Sequence, residues 1–292
     1  MSTLIEHLQT GTTSVARCWS VSRADGMVHG FTDHDRDIVF DSITFSADSG
    51  LTASALSQTT GLSVDNSEAM GVLSSAAISD TDIEAGRCDG AEIKAWLVNW
   101  ADTDQRELQF RGTVGEIRRS GGAFTVELRG LAEKLNEPRG RVFQPGCSAV
   151  LGDTSCEADL TINGFFTEQG VRADGDGEVF RFPGLLEFEE RWFERGTLMM
   201  LDGAAQGLSE VVKHDRVIDG VRVVELWAPL RAEVKEGDRL TITAGCDKRV
   251  ETCKFKFDNF LNFRGFPDIP GEDWLISTPD RGGKHDGGSR TR

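Results

Sequence analysis

The stretch VRVVELWAPLRAEVKEGDRLTITAGC (221–246) decides how the second half of the chain is read. Residues 221–227 are rich in the β-branched and aromatic side chains that suit a strand, and 239–243 (RLTIT) alternates polar with apolar. Between them Glu236-Gly237-Asp238 makes a tight turn, and the last strand runs directly into Cys246. Working back towards the middle of the chain, 161–165, 178–182, 198–201 and 210–214 carry strand patterns at the spacing of a small barrel or sandwich.

The first half reads the same way. TLIEHL (3–8) is a short helix, with Thr3 and Glu6 spaced as a capping box. Val15 to Val21 and Met27 to Phe31 form a hairpin across Ser-Arg-Ala-Asp-Gly, and Ile38 to Phe45 continues the strand pattern. Ala95 to Trp100 places Trp96, Val98 and Trp100 on one face, and Leu108 to Ile117 pairs with Phe124 to Leu128. Asp80 to Gly86 and Leu131 to Asn136 are short helical segments. The expected fold is mainly β, with two β-rich, barrel- or sandwich-like domains over 1–145 and 146–292 and few, short helices. The cysteine-bearing segment 246–275 is loop-rich, and 276–292 is an extended tail.

Composition agrees with many short strands and turns: 33 Gly, 7 Pro and 38% hydrophobic residues in 292. No run approaches the roughly 20 apolar residues of a membrane span. MSTLIEHLQTG, with no basic lead, is not a secretory signal, so synthesis in the cytoplasm as a soluble protein is expected. The formal net charge of −16 repels phosphate and argues against a dedicated nucleic-acid binder. It is compatible with a surface that nucleic acid slides past. The last fourteen residues, PDRGGKHDGGSRTR, are locally basic and Gly-rich, a tail suited to docking on an acidic neighbour.

Six cysteines in such a chain are not expected to pair as disulfides. Cys18 and Cys88 stand apart. The other four form two pairs, Cys147 with Cys156 (C-x8-C) and Cys246 with Cys253 (C-x6-C), in turn-rich sequence. Four thiolates satisfy tetrahedral zinc or an iron–sulfur cluster. The gaps are wider than zinc knuckles, and on spacing alone unrelated thiols, or two disulfides formed after export, remain alternatives.

CDKRVETCKFKFDNFLNFRGFPDIPGEDWL (246–275) closely resembles the C-terminal motif of a family of phage-tail proteins. That family includes the tail-tip protein of lambda-like phages and the hub protein of gene transfer agents. DGMVHGFTDHDRDIVF (25–40) and DIEAGRCDGAEIKAWLVNW (82–100) are similar to the N-terminal domain of the hub proteins. The resemblance covers nearly the whole chain, and its C-terminal motif is the more specific part. It implies a homotrimer at the tail tip or baseplate of a virion or gene transfer agent particle, closing the distal end of the tail tube. It also implies a [4Fe–4S] cluster on Cys147, Cys156, Cys246 and Cys253, with zinc the lesser alternative. Implied partners are a distal tail protein and larger tip or fibre proteins, with DNA passing at ejection.

No catalytic residues are assigned, and a non-enzymatic structural role is expected. The five histidines form no HExxH, and no GxSxG or phosphate loop is present. Asp33-His34-Asp35-Arg36-Asp37 reads as an Asp-rich turn rather than a metal site. Trp96 and Trp100 are core or subunit interface. Phe255, Phe257, Phe260, Phe263 and Phe266 are expected to cover the cysteine site and dock its loop. The rival readings are a tail-borne cell-wall hydrolase or iron–sulfur enzyme, and a zinc-stapled receptor- or carbohydrate-binding module.

Overall fold

The computed structural model describes residues 3–47, 66–69, 79–120, 123–130, 140–172 and 177–269. The expected helix at 131–136 and the Gly-rich tail from 279 lie outside the described residues. The chain divides into two compact units, residues 1–138 and 139–292.

The first unit opens with α1 (Leu4–Gln9), whose capping box is formed: Thr3 accepts from the Glu6 N–H and Glu6 accepts from the Thr3 N–H. Its strands are β1 (Val15–Ser22), β2 (Val28–Thr32), β3 (Ile38–Phe40), β4 (Ile43–Ser46), β5 (Asn66–Ala69), β6 (Glu92–Asn99), β7 (Arg106–Ser120) and β8 (Ala123–Gly130). They form one sheet in the order β3-β4-β2-β1-β6-β7-β8-β5, antiparallel except for β2 beside β4. The five-residue turn before β2 closes by the Arg23 N–H bonding the Met27 carbonyl at 2.9 Å. A short α2 (Asp80–Glu84) precedes β6, capped by the Ser79 hydroxyl accepting from the Asp82 N–H.

Both faces of this sheet are apolar, because alternate residues of one strand feed different clusters. On β1, Trp19 and Val21 pack with Phe31, Ile93, Ala95 and Leu128, whereas Ala16 and Cys18 pack with Phe40, Phe45 and Val98. The β6–β7 register shifts between Ala95 and Trp96. Alternating with Ile93 and Ala95 along β6, Trp96 and Val98 join the second cluster, with Trp96 edge-on to Phe40 and Phe45. Trp100 lies just past the end of β6, is half exposed, and tilts against His34.

The second unit holds β9 (Phe166–Gly170), β10 (Val179–Pro183), β11 (Thr197–Met200), β12 (Ser209–Ile218), β13 (Val221–Leu226) and β14 (Arg239–Thr243). They make one antiparallel sheet in the order β10-β13-β12-β11-β14-β9. Asp219 and Gly220, at φ of 49° and 76°, make the left-handed turn that matches the twist of the β12–β13 hairpin. Leu198, Val212, Val224, Leu226, Leu240 and Ile242 are fully buried and form the centre of the core. Each such side chain contributes about 1.5–3 kcal/mol by leaving water.

One expectation fails here, and one is filled in. The strand expected at 161–165 is a run of turns, because Asp159 accepts from both the backbone and the hydroxyl of Thr161 and the Phe165 N–H folds back to Ile162; pairing begins only at Phe166. The segment after Cys246 is not all loop. Val250–Phe255 is a helix, α3, followed by a short 3-10 turn at Phe260–Asn262.

Candidate metal centre

β14 delivers Cys246 directly from the core. Ala244 is fully buried, and the Gly245 N–H donates to the Trp192 carbonyl at 3.0 Å. A Cβ on Gly245 would lie 1.8 Å from the Glu194 carbonyl oxygen, so only glycine permits this approach. Lys248, at φ 67°, turns the chain into α3, and Cys253 lies on the buried side of that helix. The other pair comes from the irregular segment 140–157. Asp153 shapes it by accepting from the backbone N–H groups of Val150, Ser155 and Cys156 at 3.0, 2.9 and 2.7 Å, which also hold its carboxyl below its ordinary value.

The two segments are laced together without sheet pairing. The Cys147 N–H donates to the Lys248 carbonyl at 2.8 Å, and the Lys248 ammonium donates to the Ala149 carbonyl. Arg264 donates through Nε to the Ser155 carbonyl at 3.1 Å, and its own carbonyl accepts from Arg141 at 2.8 Å and from the Ser148 hydroxyl at 3.2 Å. The sulfurs themselves take part. Cys147 Sγ accepts from the Arg264 N–H and Cys246 Sγ from the Lys248 N–H, both at 3.4 Å. Cys156 Sγ lies 3.7 Å from Asn259 Nδ2, and the Cys253 thiol donates to the Asn259 carbonyl at 3.2 Å.

Electrostatics places all four thiols in one neighbourhood. Burial, then the charges of Cys246, Cys147 and Cys156, push the Cys253 thiol up to about 11. Burial raises Cys246 as well, opposed by the Lys248 N–H and charge and reinforced by Asp247 and Cys147. As protonated thiols, these groups would release protons on binding a metal. Among the described residues no three His, Cys, Asp or Glu side chains form a group that could hold a metal ion.

The chemistry of the surroundings suits a thiolate-bound, negatively charged group. The donor set is all sulfur, and three of the four sulfurs face an N–H, as cluster sulfurs do. A partly buried cation stands beside them: Lys256 donates to the carbonyls of Trp192 and Gly245 and lies 4.2 Å over the Trp192 ring. Burial lowers its ammonium to about 8, while the charges of Cys246 and Asp247 act in the opposite direction.

The remaining candidates fall elsewhere. Cys18 and Cys88 are buried in the first unit, where burial raises both thiols, Cys18 to about 11. The Asp33–Asp37 string is a turn held by its own side chains. Asp33 accepts from the Arg17 N–H at 2.7 Å and Asp37 from the Ala47 N–H at 2.9 Å. Of the expected phenylalanine cover, Phe257 is buried and packs on Phe165 at 5.1 Å, and Phe266 meets Phe143 at 4.9 Å. Phe255, at the end of α3, and Phe260, at the start of the 3-10 turn, are instead 77% and 50% exposed. Asn259, Arg264, Lys248 and Lys256 were not singled out from sequence. The contacts of Asn259, Arg264 and Lys248 join segments about a hundred residues apart, those of Lys256 reach back to Trp192 and Gly245, and none leaves a mark in local spacing.

Comparison with known proteins was made on both halves. The family described as "Baseplate hub protein, N-terminal attachment domain" matches residues 1–159, ending just past Cys156. A second, described as "Phage conserved hypothetical protein BR0599", matches residues 191–273 and spans Cys246 and Cys253. Comparison with curated proteins gives no match. Among solved structures, a chain in the virion of a native gene transfer agent particle is 54% identical, covers 99% of each chain, and superposes with a TM-score of 0.87.

Proposed function

Starting from the membership of this chain in the phage baseplate hub protein family, we propose that it assembles as a trimeric ring closing the distal end of a phage-like tail tube. As a hub it is a structural component of a baseplate, the part such a chain plays in a gene transfer agent or phage particle. The ring joins a distal tail protein on one side to larger tip or fibre proteins on the other. Its net charge of −16 favours a lining that repels DNA and lets it pass at ejection. The role is architectural rather than catalytic, in keeping with the family.

Within the second unit, Cys147, Cys156, Cys246 and Cys253 hold a [4Fe–4S] cluster as a staple. The gaps within the two cysteine pairs, C-x8-C and C-x6-C, are wider than those of zinc knuckles. That arrangement suits a cubane better than a single zinc, whose sulfurs all lie about 2.3 Å from the metal. When bound, the cluster supplies four strong bonds between two segments that otherwise share scattered hydrogen bonds and the packing of Phe143 and Arg141 on Phe266, so its binding energy becomes folding energy.

The observation carrying the hub assignment is 54% identity over 99% of a virion chain. Native mass spectrometry of protein purified without oxygen tests the rest. Three chains, each heavier by four irons and four sulfides, are expected. A stable monomer removes the ring, and a colourless protein carrying zinc removes the cluster.

A further inference from the structure

The lacing around the thiols is unevenly distributed, and one residue touches both pairs, Cys253 through its backbone and Cys156 through its side chain. Asn259 receives the Cys253 thiol on its carbonyl at 3.2 Å and returns its N–H to the Cys253 carbonyl at 2.9 Å. Its side-chain Nδ2 donates to the Cys156 carbonyl and lies 3.7 Å from the Cys156 sulfur. The amide is held in that orientation because its Oδ1 accepts from Asn262 Nδ2 at 2.8 Å. Asn259 precedes the 3-10 turn at Phe260–Asn262, the usual place for a capping side chain, yet its side chain makes no capping bond. Its polar capacity goes to the cysteines instead.

We infer that Asn259 is a positioning residue that keys Cys156 to Cys253 before any metal binds and hydrogen-bonds the Cys156 sulfur afterwards. Asn259 joins a member of the C-x8-C pair to a member of the C-x6-C pair through a single residue, its backbone holding Cys253 and its side-chain amide holding Cys156. A donor facing a cluster sulfur stabilises the more reduced, more negative cluster, so its removal drives the reduction potential to more negative values. The second half of the inference rests on the iron–sulfur reading given above, whereas the first half does not.

The experiment compares wild type with N259D, which keeps the shape but removes the donor, and N259L, which removes it without adding charge. In metal-free protein, amide hydrogen exchange over 147–157 is expected to speed up about tenfold in both variants, the equivalent of one lost hydrogen bond. The strands β11–β14 should keep their protection. After anaerobic loading with ferrous iron and sulfide, both variants should titrate at a more negative potential and lose iron to a chelator about tenfold to a hundredfold faster. Unchanged exchange over 147–157 overturns the inference. So does a rise spread across β11–β14, which would make Asn259 a residue of the fold rather than of the site. A loaded variant with the wild-type potential overturns the sulfur contact. If wild type takes up no iron, the cluster reading fails on its own, and the metal-free exchange still decides whether Asn259 keys the two pairs.

Discussion

The carboxylate of Asp215 and the guanidinium of Arg222 meet inside the second unit with both side chains wholly excluded from solvent, Nη1 lying 2.9 and 2.7 Å from the two oxygens. They sit on adjacent strands, β12 and β13, and neither is content with the other alone. Asp215 also accepts from the Phe193 N–H at 2.9 Å. Arg222 donates to the carbonyls of Leu185, Phe188 and Glu189, and stands 5.3 Å from the Phe193 ring. The pair thus pins the loop 185–193, and Trp192 on that loop receives Lys256 and Gly245 beside the cysteine site.

Removing one partner should cost far more than removing both. R222M leaves a buried carboxylate uncompensated and three backbone carbonyls without their donor, and is expected to destabilise the second unit by about 3–5 kcal/mol. A double variant, D215L with R222M, should recover part of that loss, because the desolvation of both charges disappears with them. Denaturant unfolding followed by tryptophan fluorescence measures this. Equal losses in the single and double variants would show that loop pinning, not the stranded charge, carries the effect.

Gly245 offers a sharper probe of the path from core to cysteine. A Cβ there would lie 1.8 Å from the Glu194 carbonyl oxygen and 2.5 Å from the Gly196 nitrogen, both rigid backbone atoms. G245A must therefore push β14 away from 194–196 and displace Cys246. A loss of about 1–3 kcal/mol is expected from the overpacking alone, with weaker iron retention in loaded protein. An alanine variant as stable as wild type would mean that the two backbones separate more easily than their contacts suggest.

Legibility in the sequence followed the range of the interactions. The capping box at Thr3 and Glu6, the turn before β2 and nearly all the strands are local patterns, and they stand where propensity puts them. The strand expected at 161–165 was lost to a side chain–backbone competition at Asp159 that composition does not reveal. Asp215 and Arg222 escaped notice because a charged residue in an alternating strand reads as solvent-facing, and only the loop brought over them from 185–193 turns that face inward. The cysteines were legible as two pairs. What joins the pairs, Asn259 and Arg264, acts across more than a hundred residues. Phe255 shows the opposite error, since a ring expected to cover the cysteine site sits at the end of a short helix, exposed.

Acid should loosen the second unit partly through Asp202. Its carboxylate accepts from the Arg239 backbone N–H at 2.6 Å and from Arg239 Nε at 2.8 Å, clamping the end of β11 to the start of β14. These bonds, the backbone one first, hold it below its ordinary 3.8. A carboxyl lower in the folded than in the unfolded state contributes stability that is complete above the unfolded value and lost as pH falls through the folded one. Melting temperature followed from about pH 6 down to about pH 2 should therefore fall less steeply for D202N than for wild type over the acid limb. Parallel curves would show that the clamp persists with Asp202 protonated.

The strongest consequence of a cluster staple concerns Cys246. Binding energy delivered by four thiolates becomes folding energy for loops with little core of their own, and 140–157 is such a segment: Val142, Phe143 and Val150 are each about 70% exposed. C246S leaves three thiolates, so brown colour should be lost. The segments 140–157 and 246–269 should become protease-sensitive, while β11–β14 keep the core formed by Leu198, Leu240 and Ile242. Removing iron from wild type with a chelator should reproduce the same cleavage pattern, and reloading with iron and sulfide should reverse it. C246S protein that stays resistant over both segments and still assembles as wild type does would end the structural role, leaving at most a bound metal that the fold does not need.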